Sequence, residues 1–361
     1  MLLLDHKDFE GALDMPEAVL LVEDAHRAWG QEPNLNHPRR MLDVVHPGEN
    51  RRVRLNSFLG AWPRGGYMGA QLQMHAPVMQ EQQQGLAHIA TDVYALYSSD
   101  NGALLAIFYG GSVRPAQGGF RGTTELARHP IFGEIATAAI GAVGTKALAR
   151  EDASTLGFFG TGSFAPGHLL AVASVRQFDQ IKVYSRTKEH RERFCKEMSE
   201  VLEKDVIPVN SPEDCVRGSD VVMCVTNSDE PVLSGDHLDA GAHVTSIVAS
   251  SHAGPGGVLV GRTELDDRTL ERANRIAVVS KEQAITDQHA ATWGAAQRNV
   301  ISMEDICELG PILAGSEPGR TSQSDITVFH QNSRQGVSCV PIAARYYEIA
   351  LERGIGTVAD L

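Results

Sequence analysis

Ser154-Thr-Leu-Gly-Phe-Phe-Gly-Thr-Gly-Ser-Phe-Ala-Pro-Gly-His168, and then Ile181-Lys-Val-Tyr-Ser-Arg-Thr187, decide the fold of this chain. The first stretch reads as a short apolar strand, a glycine turn and the start of a helix. Gly160, Gly162 and Ala165 fill a G-x-G-x-x-A pattern, with Thr161, Ser163 and Phe164 between them. Gly160 permits a tight turn, Gly162 lets a pyrophosphate approach the backbone, and Ala165 lets the helix pack on the strand. The second stretch reads as the next strand of a β-α-β unit, ending where an adenosine ribose would sit. An acidic residue there would accept from a ribose 2′-hydroxyl. This chain instead has Ser185, Arg186 and Thr187. A hydroxyl and a forked guanidinium suit a 2′-phosphate. The expected cofactor is therefore NADPH/NADP, with NADH the less favoured.

The 361 residues suit two domains. The net charge of −13 argues against nucleic acid or an anionic membrane as partner. The five cysteines show no C-x-x-C pair and fit buried free thiols in a reducing compartment. The fourteen histidines show no metal-ligand spacing, so no metal is expected. The start lacks the pattern of a secretion signal, no apolar run reaches membrane-spanning length, and the expected location is cytoplasmic.

Outward from the turn, residues 10–30 show helical spacing and Arg39 to Tyr109 reads as short strands. Ala90–Tyr97 and Ala103–Phe108 flank Asn101-Gly102 as a hairpin. Ile135 to Arg150 reads as a helix. Val206–Val209, Asp220–Val225, Ala242–Val248 and Arg275–Val279 continue a parallel sheet. Ile326–Phe329 and a helix from about Val340 are expected to return to the first domain. The fold class is α/β, with a dinucleotide-binding domain at 141–324. A second domain combines 1–140 and 325–361.

In order and local pattern the chain resembles the ornithine cyclodeaminase/mu-crystallin family. The resemblance rests on Leu13–Val19, Thr145–Ala149, Val183–Thr187, Thr226–Leu233, Gly241–Val244, Arg262–Asp266 and Asp325–Phe329. It implies a Rossmann domain inserted into an α+β catalytic and dimerisation domain built from both chain ends, and a homodimer. It also implies chemistry on small imines or amino acids.

Several positions depart from the family pattern. Gln71 stands where the family has a pocket lysine. Ala136 stands where it has a carboxylate-binding arginine, although Thr137 of the same motif is present as a cofactor contact. Arg121 and Arg128, in the preceding glycine-rich stretch, are the available substitutes. The acid that follows the Ala242–Val248 strand in true cyclodeaminases is absent from Ala249–Gly257. Arg39 and Arg40 match a second carboxylate-binding arginine, and Arg40 is favoured. His330 occupies the place of a late lysine and is the leading proton donor, ahead of His252 and His75. A hydrogen-bonded structural histidine is the competing account of His330. Gln71 joins it as a catalytic candidate, and Gln71 and Asn332 are expected as substrate contacts. Thr226, Asn227 and Ser228 follow a strand at its carboxyl end, as cofactor contacts or as ordinary turn residues.

The expected activity is NADPH-dependent reduction of C=N in a small imino acid or related imine. Amino acid dehydrogenation, cyclodeamination and a non-catalytic NADPH-binding carrier are the alternatives.

Overall fold

A computed structural model describes residues 1–9, 11–46, 51–78, 87–114, 123, 132–248, 251–253, 259–288 and 291–360. The glycine-rich stretch holding Arg121 and Arg128 falls outside these apart from residue 123.

Two large sheets carry the architecture. The first runs in the order Thr357–Val358, Leu2–Asp5, Leu104–Arg114, Ala87–Ser98, Tyr67–Val78, Arg51–Trp62, Asn36–His46. Both chain ends lie in it, with Leu2 opposite Val358. Leu2–Asp5 pairs parallel with Leu104–Arg114, and the other neighbours are antiparallel. The Asn101-Gly102 hairpin forms as expected, Gly102 taking a φ of +73°. Its neighbouring strands are 11 or 12 residues long, not short. Their length was hidden because apolar side chains occupy both faces, so the polar alternation that marks a half-buried strand is weak.

The second sheet is wholly parallel. Its order is Ile306–Glu308, Arg275–Val278, Thr327–His330, His243–Ser246, Val221–Cys224, Thr155–Phe159, Gln180–Tyr184, Val206–Pro208. The order reverses between Thr155–Phe159 and Val221–Cys224, which opens a crevice at their carboxyl ends. The strand over Ile326–Phe329 does not return to the first sheet. Thr327–His330 is an interior strand of the parallel sheet, flanked by His243–Ser246 and Arg275–Val278. All four of its residues are buried, as an interior parallel strand requires. Only after His330 does the chain cross to the first sheet, where Gly336–Arg353 forms a helix.

Three helices fill the space between the sheets: Met15–Gln31, Phe132–Leu148 and Gly336–Arg353. Asp14 caps the first, its Oδ1 accepting from Glu17 N at 2.8 Å. The last begins against strand Arg51–Trp62 with no side chain between. A Cβ on Gly60 would lie 2.3 Å from the Gly336 backbone. All five cysteines are buried free thiols, as small hydrophobes are. Among the described residues no helix is long and apolar enough to cross a membrane, and no His/Cys/Asp/Glu cluster could hold a metal.

Buried histidines stitch the layers together. His243 Nδ1 meets Thr327 Oγ1 at 2.8 Å and its Nε2 meets Thr245 Oγ1 at 2.9 Å. Thr245 in turn reaches Thr145 of helix Phe132–Leu148 at 2.9 Å. Burial lowers His26, His168 and His330 to about 4, and lowers His243 well below its ordinary value. In the unfolded chain these groups titrate near ~6.5. The unfolded state therefore binds more protons between about 6.5 and 4. The stabilisation is full above that window and is lost as pH falls through it. Thermal melts should show a Tm several degrees lower at pH 5 than at pH 7.5. Equal values would contradict the burial of neutral imidazoles.

Candidate active site

The nucleotide turn is built as its residue types require. Strand Thr155–Phe159 ends at Gly160, with a φ of +107°. A Cβ there would lie 2.1 Å from Val225 O, across the crevice. Gly160 N donates to Tyr184 O at 2.9 Å. Gly162 is exposed, and a Cβ on it would meet nothing within 4 Å. Ala165 is fully buried and opens helix Ala165–Val175. Thr161, Ser163 and Phe164 are half-buried around it. The cradle is thus rigid at Gly160 and open at Gly162, which fits a pyrophosphate facing a helix N-terminus.

Past strand Gln180–Tyr184, Ser185 is half-buried while Arg186 and Thr187 are exposed. Thr161 Oγ1 donates to Ser185 Oγ at 3.2 Å, joining the two turns. Arg191, which the sequence did not single out, is the scaffold arginine. Its Nη1 donates to Ser185 O at 2.7 Å, its Nη2 to Asn210 Oδ1 at 3.2 Å, and it lies 5.6 Å over the Tyr184 ring. Arg186 is left exposed just beyond the end of that strand.

A buried carboxylate shapes the other wall. Glu264 Oε1 accepts from Thr226 N (2.6 Å) and Thr226 Oγ1 (2.8 Å). Its Oε2 accepts from Ser246 Oγ (2.8 Å), Ile247 N (3.0 Å) and Val248 N (3.2 Å). Burial pushes this carboxyl up, against the donors from Ser246, Thr226 and Val248. Five donors and no acceptor among these contacts suit the charged form. Glu264 therefore fixes the carboxyl ends of two neighbouring strands. Thr226 is held by it, and Ser228 N bonds back to Thr226 Oγ1 at 3.2 Å, while Asn227 stays exposed. Sequence offered only a family-like Arg262–Asp266 stretch as a signal.

On the facing sheet, Gln71 is fully buried. Its Oε1 accepts from Arg334 Nη2 at 3.0 Å. Arg334 lies 4.7 Å over the Phe58 ring. Arg39 turns inward and pairs with Asp287, whose other oxygen accepts from Gln283 at 2.8 Å. Burial lowers the Arg39 pKa, with Asp287 opposing. Arg40, the favoured residue, is instead exposed. A register shift between His37 and Arg40 sets which of the two points inward.

His330 and Asn332 are both held by neighbouring groups. His330 Nε2 donates to Val248 O at 2.9 Å, so Nδ1 is the acceptor facing Thr292 Oγ1 at 3.2 Å. Both ring nitrogens of His330 are thus engaged within the protein. Asn332 is held by backbone groups. Its Oδ1 accepts from Val279 N and Ser280 N at 3.1 and 3.2 Å, and its Nδ2 donates to Ser280 O at 2.7 Å. Thr137 lies in the first turns of its helix, and its carbonyl accepts from Gln331 Nε2 at 2.8 Å. Arg121 and Arg128, and the side chains of His75 and His252, lie outside the described residues. A surface depression of about 520 Å³, lined by Arg275, Lys281, Asp305 and Glu317 among others, sits at the outer edge of the parallel sheet. None of the candidate residues lines it.

Comparison with known proteins agrees with this layout. A model of the ornithine cyclodeaminase/mu-crystallin family matches residues 126–342. A Delta(1)-pyrroline-2-carboxylate reductase of Bacillus cereus is 32% identical over 226 residues, which is 62% of this chain and 65% of that protein. The match thus spans just under two thirds of that relative's length. The structure of Thermococcus litoralis Delta(1)-pyrroline-2-carboxylate reductase with NADH and L-proline is similar at a TM-score of 0.77 and 25% identity. It covers 99% of this chain and 100% of that one. An archaeal alanine dehydrogenase dimer with bound NAD shares the fold at a TM-score of 0.77 and 24% identity, over 100% of this chain and 99% of that one.

Two glycine variants separate scaffold from binding surface. Gly160→Ala should lower stability by ~2 kcal/mol or more, through strain and the clash with Val225. Gly162→Val should leave the melt within ~0.5 kcal/mol of wild type while weakening dinucleotide binding ~10-fold or more. Urea unfolding and fluorescence titration measure the two effects. Glu264→Gln should cost ~2 kcal/mol in urea unfolding, since an amide turns a donor toward donors.

Proposed function

The chain belongs to the ornithine cyclodeaminase/mu-crystallin family, and from that premise we propose that it is an NADPH-dependent reductase. Its substrate would be the C=N bond of a small imino acid or related imine, cyclic forms included. The observation that carries this reading is the meeting of two unlike surfaces on one short segment. The nucleotide crevice runs along the carboxyl ends of the parallel sheet up to Thr327–His330. Four residues later, Arg334 contacts Gln71 of the antiparallel sheet. The proposed division gives the cofactor to the parallel sheet and the substrate to the other.

When bound, NADPH supplies the hydride. Gly160, Gly162 and the helix start at Ala165 would hold its pyrophosphate, and Ser185, Arg186 and Thr187 its 2′-phosphate. Although the two structural relatives are complexes with NADH and NAD, no acid stands at Ser185–Thr187 here to prefer a free ribose hydroxyl. The substrate side presents amide and guanidinium donors from Gln71, Arg39 and Arg334. Such donors suit the negatively charged part of an imino acid, while an iminium that arrives already protonated asks no proton of them. A neutral, fully engaged His330 orients the crevice floor and moves no proton.

A second copy of the chain is the proposed partner. One face of the antiparallel sheet exposes Leu42, Val44, Leu59, Met68, Leu72, Val93 and Tyr109. The strand registers place all seven on that one face. Leu42 is 69% exposed and Leu72 48%, more than a monomer surface normally leaves uncovered in one patch.

Three measurements test these readings. Loss of nicotinamide absorbance should be seen with cyclic imino acids and NADPH. Turnover of 2-oxo acids with ammonia but of no imine would point instead to a dehydrogenase. Arg186→Ala should raise the KM for NADPH ~10- to 100-fold and leave that for NADH nearly unchanged. Leu72→Glu should convert a dimer to a monomer in light scattering, and a wild-type monomer would overturn the dimer.

A further inference from the structure

Gln71 is a buried amide used at one end only. Its Oε1 accepts from Arg334 Nη2 at 3.0 Å and from Cys339 Sγ at 3.6 Å. Its Nε2 is buried without a hydrogen-bond partner among the described residues. Leaving an amide N–H₂ buried and unsatisfied is costly, since the group gives up its water without a replacement. An apolar residue of similar size would avoid that cost, so the donor is maintained for an acceptor that arrives with a ligand.

Arg334 decides which way this amide points. A guanidinium has donors only, so the amide must turn its oxygen toward Arg334 and its nitrogen away. Arg334 is itself held over the face of Phe58, at 4.7 Å. Its loop is pinned on both sides, by Asn332 on the Val279–Ser280 backbone and by Gln335 Oε1, which accepts from Asn36 Nδ2 at 3.0 Å. Donation into the oxygen also polarises the amide and makes its N–H a better donor. Arg39 shares the neighbourhood, since Arg334 is among the charges that depress its pKa, after burial.

We propose that Arg334 is a positioning residue that aims Gln71 Nε2 at a carboxylate oxygen of the substrate. The proposal rests on the imine reductase reading and deepens it, for it names the residue that orients this amide toward the substrate. A protonated iminium nitrogen has no lone pair to accept from Nε2, and two neighbouring arginines would repel it. A carboxylate satisfies the orphan donor and is drawn by the same charges.

The test compares two five-membered rings with NADPH: Δ1-pyrroline-2-carboxylate and 1-pyrroline, which differ by the carboxylate. Arg334→Met should raise the KM for the carboxylated ring ~10-fold or more, leave kcat within about threefold and barely change the KM for 1-pyrroline. Arg334→Lys should recover part of the loss. In a Gln71→Met background, Arg334→Met should add little, because the two act through one contact. Thermal melts of each variant separate misfolding from lost positioning.

Equal losses on both rings, or additive losses in the double variant, would overturn the positioning role alone. Wild-type turnover of 1-pyrroline only would overturn the carboxylate. Wild-type turnover of neither ring, nor of any other imine, would overturn the reductase reading and this proposal with it.

Discussion

Buried polar groups must find partners, and in this molecule that requirement fixes how the two sheets stand against each other. The segment Gln331–Gln335 leaves the end of one sheet and enters the helix that packs on the other, and it is almost wholly buried. Gln331 N donates to Ser246 O at 2.8 Å on the parallel side, and its side chain donates to the carbonyl of Thr137. Asn332 closes on the backbone beyond strand Arg275–Val278. Arg334 reaches Gln71, and Gln335 reaches Asn36 and Gln283. A shift of either sheet would leave several of these groups unpaired at once, each costing ~1–3 kcal/mol. The distance from the crevice of the parallel sheet to Gln71 on the other sheet is set by this segment and not by a flexible linker.

Glu264 plays the matching part inside the parallel sheet. Loops at the carboxyl ends of strands are normally the mobile part of such a fold. Here one carboxylate gathers the turn after Val221–Cys224 and the turn after His243–Ser246 onto two oxygens. The crevice wall is held by an acceptor, while the side around Gln71 carries the guanidinium donors of Arg39 and Arg334. That contrast sets a buried carboxyl, raised by its burial, behind one wall and guanidinium groups on the other side.

What sequence revealed, and what it hid, follows from how local each constraint is. The nucleotide turn was legible because a φ of +107° at Gly160 and an uncovered Gly162 demand glycine at fixed spacing within one short segment. Strand Thr327–His330 was legible as a strand but not as an interior one, because strand order is not written in neighbouring residues. The choice between Arg39 and Arg40 turned on a register shift, and one residue of slip moves a side chain to the opposite face. His330 was found by position. Its engagement depends on Thr292 and Val248, which are 38 and 82 residues away. Arg334 gave no signal at all, because its partner Gln71 lies 263 residues earlier.

The buried thiols have a practical corollary. Burial pushes Cys195 and Cys215 up to about 12 and raises the other three as well. At neutral pH the thiolate, the form that reacts, is scarce at all five positions, and none is accessible. The folded chain is therefore silent toward maleimides and mild oxidants. A single cysteine introduced at an exposed turn, such as Asn101 or Thr187, would carry a spectroscopic label alone. The native cysteines would not need to be removed first.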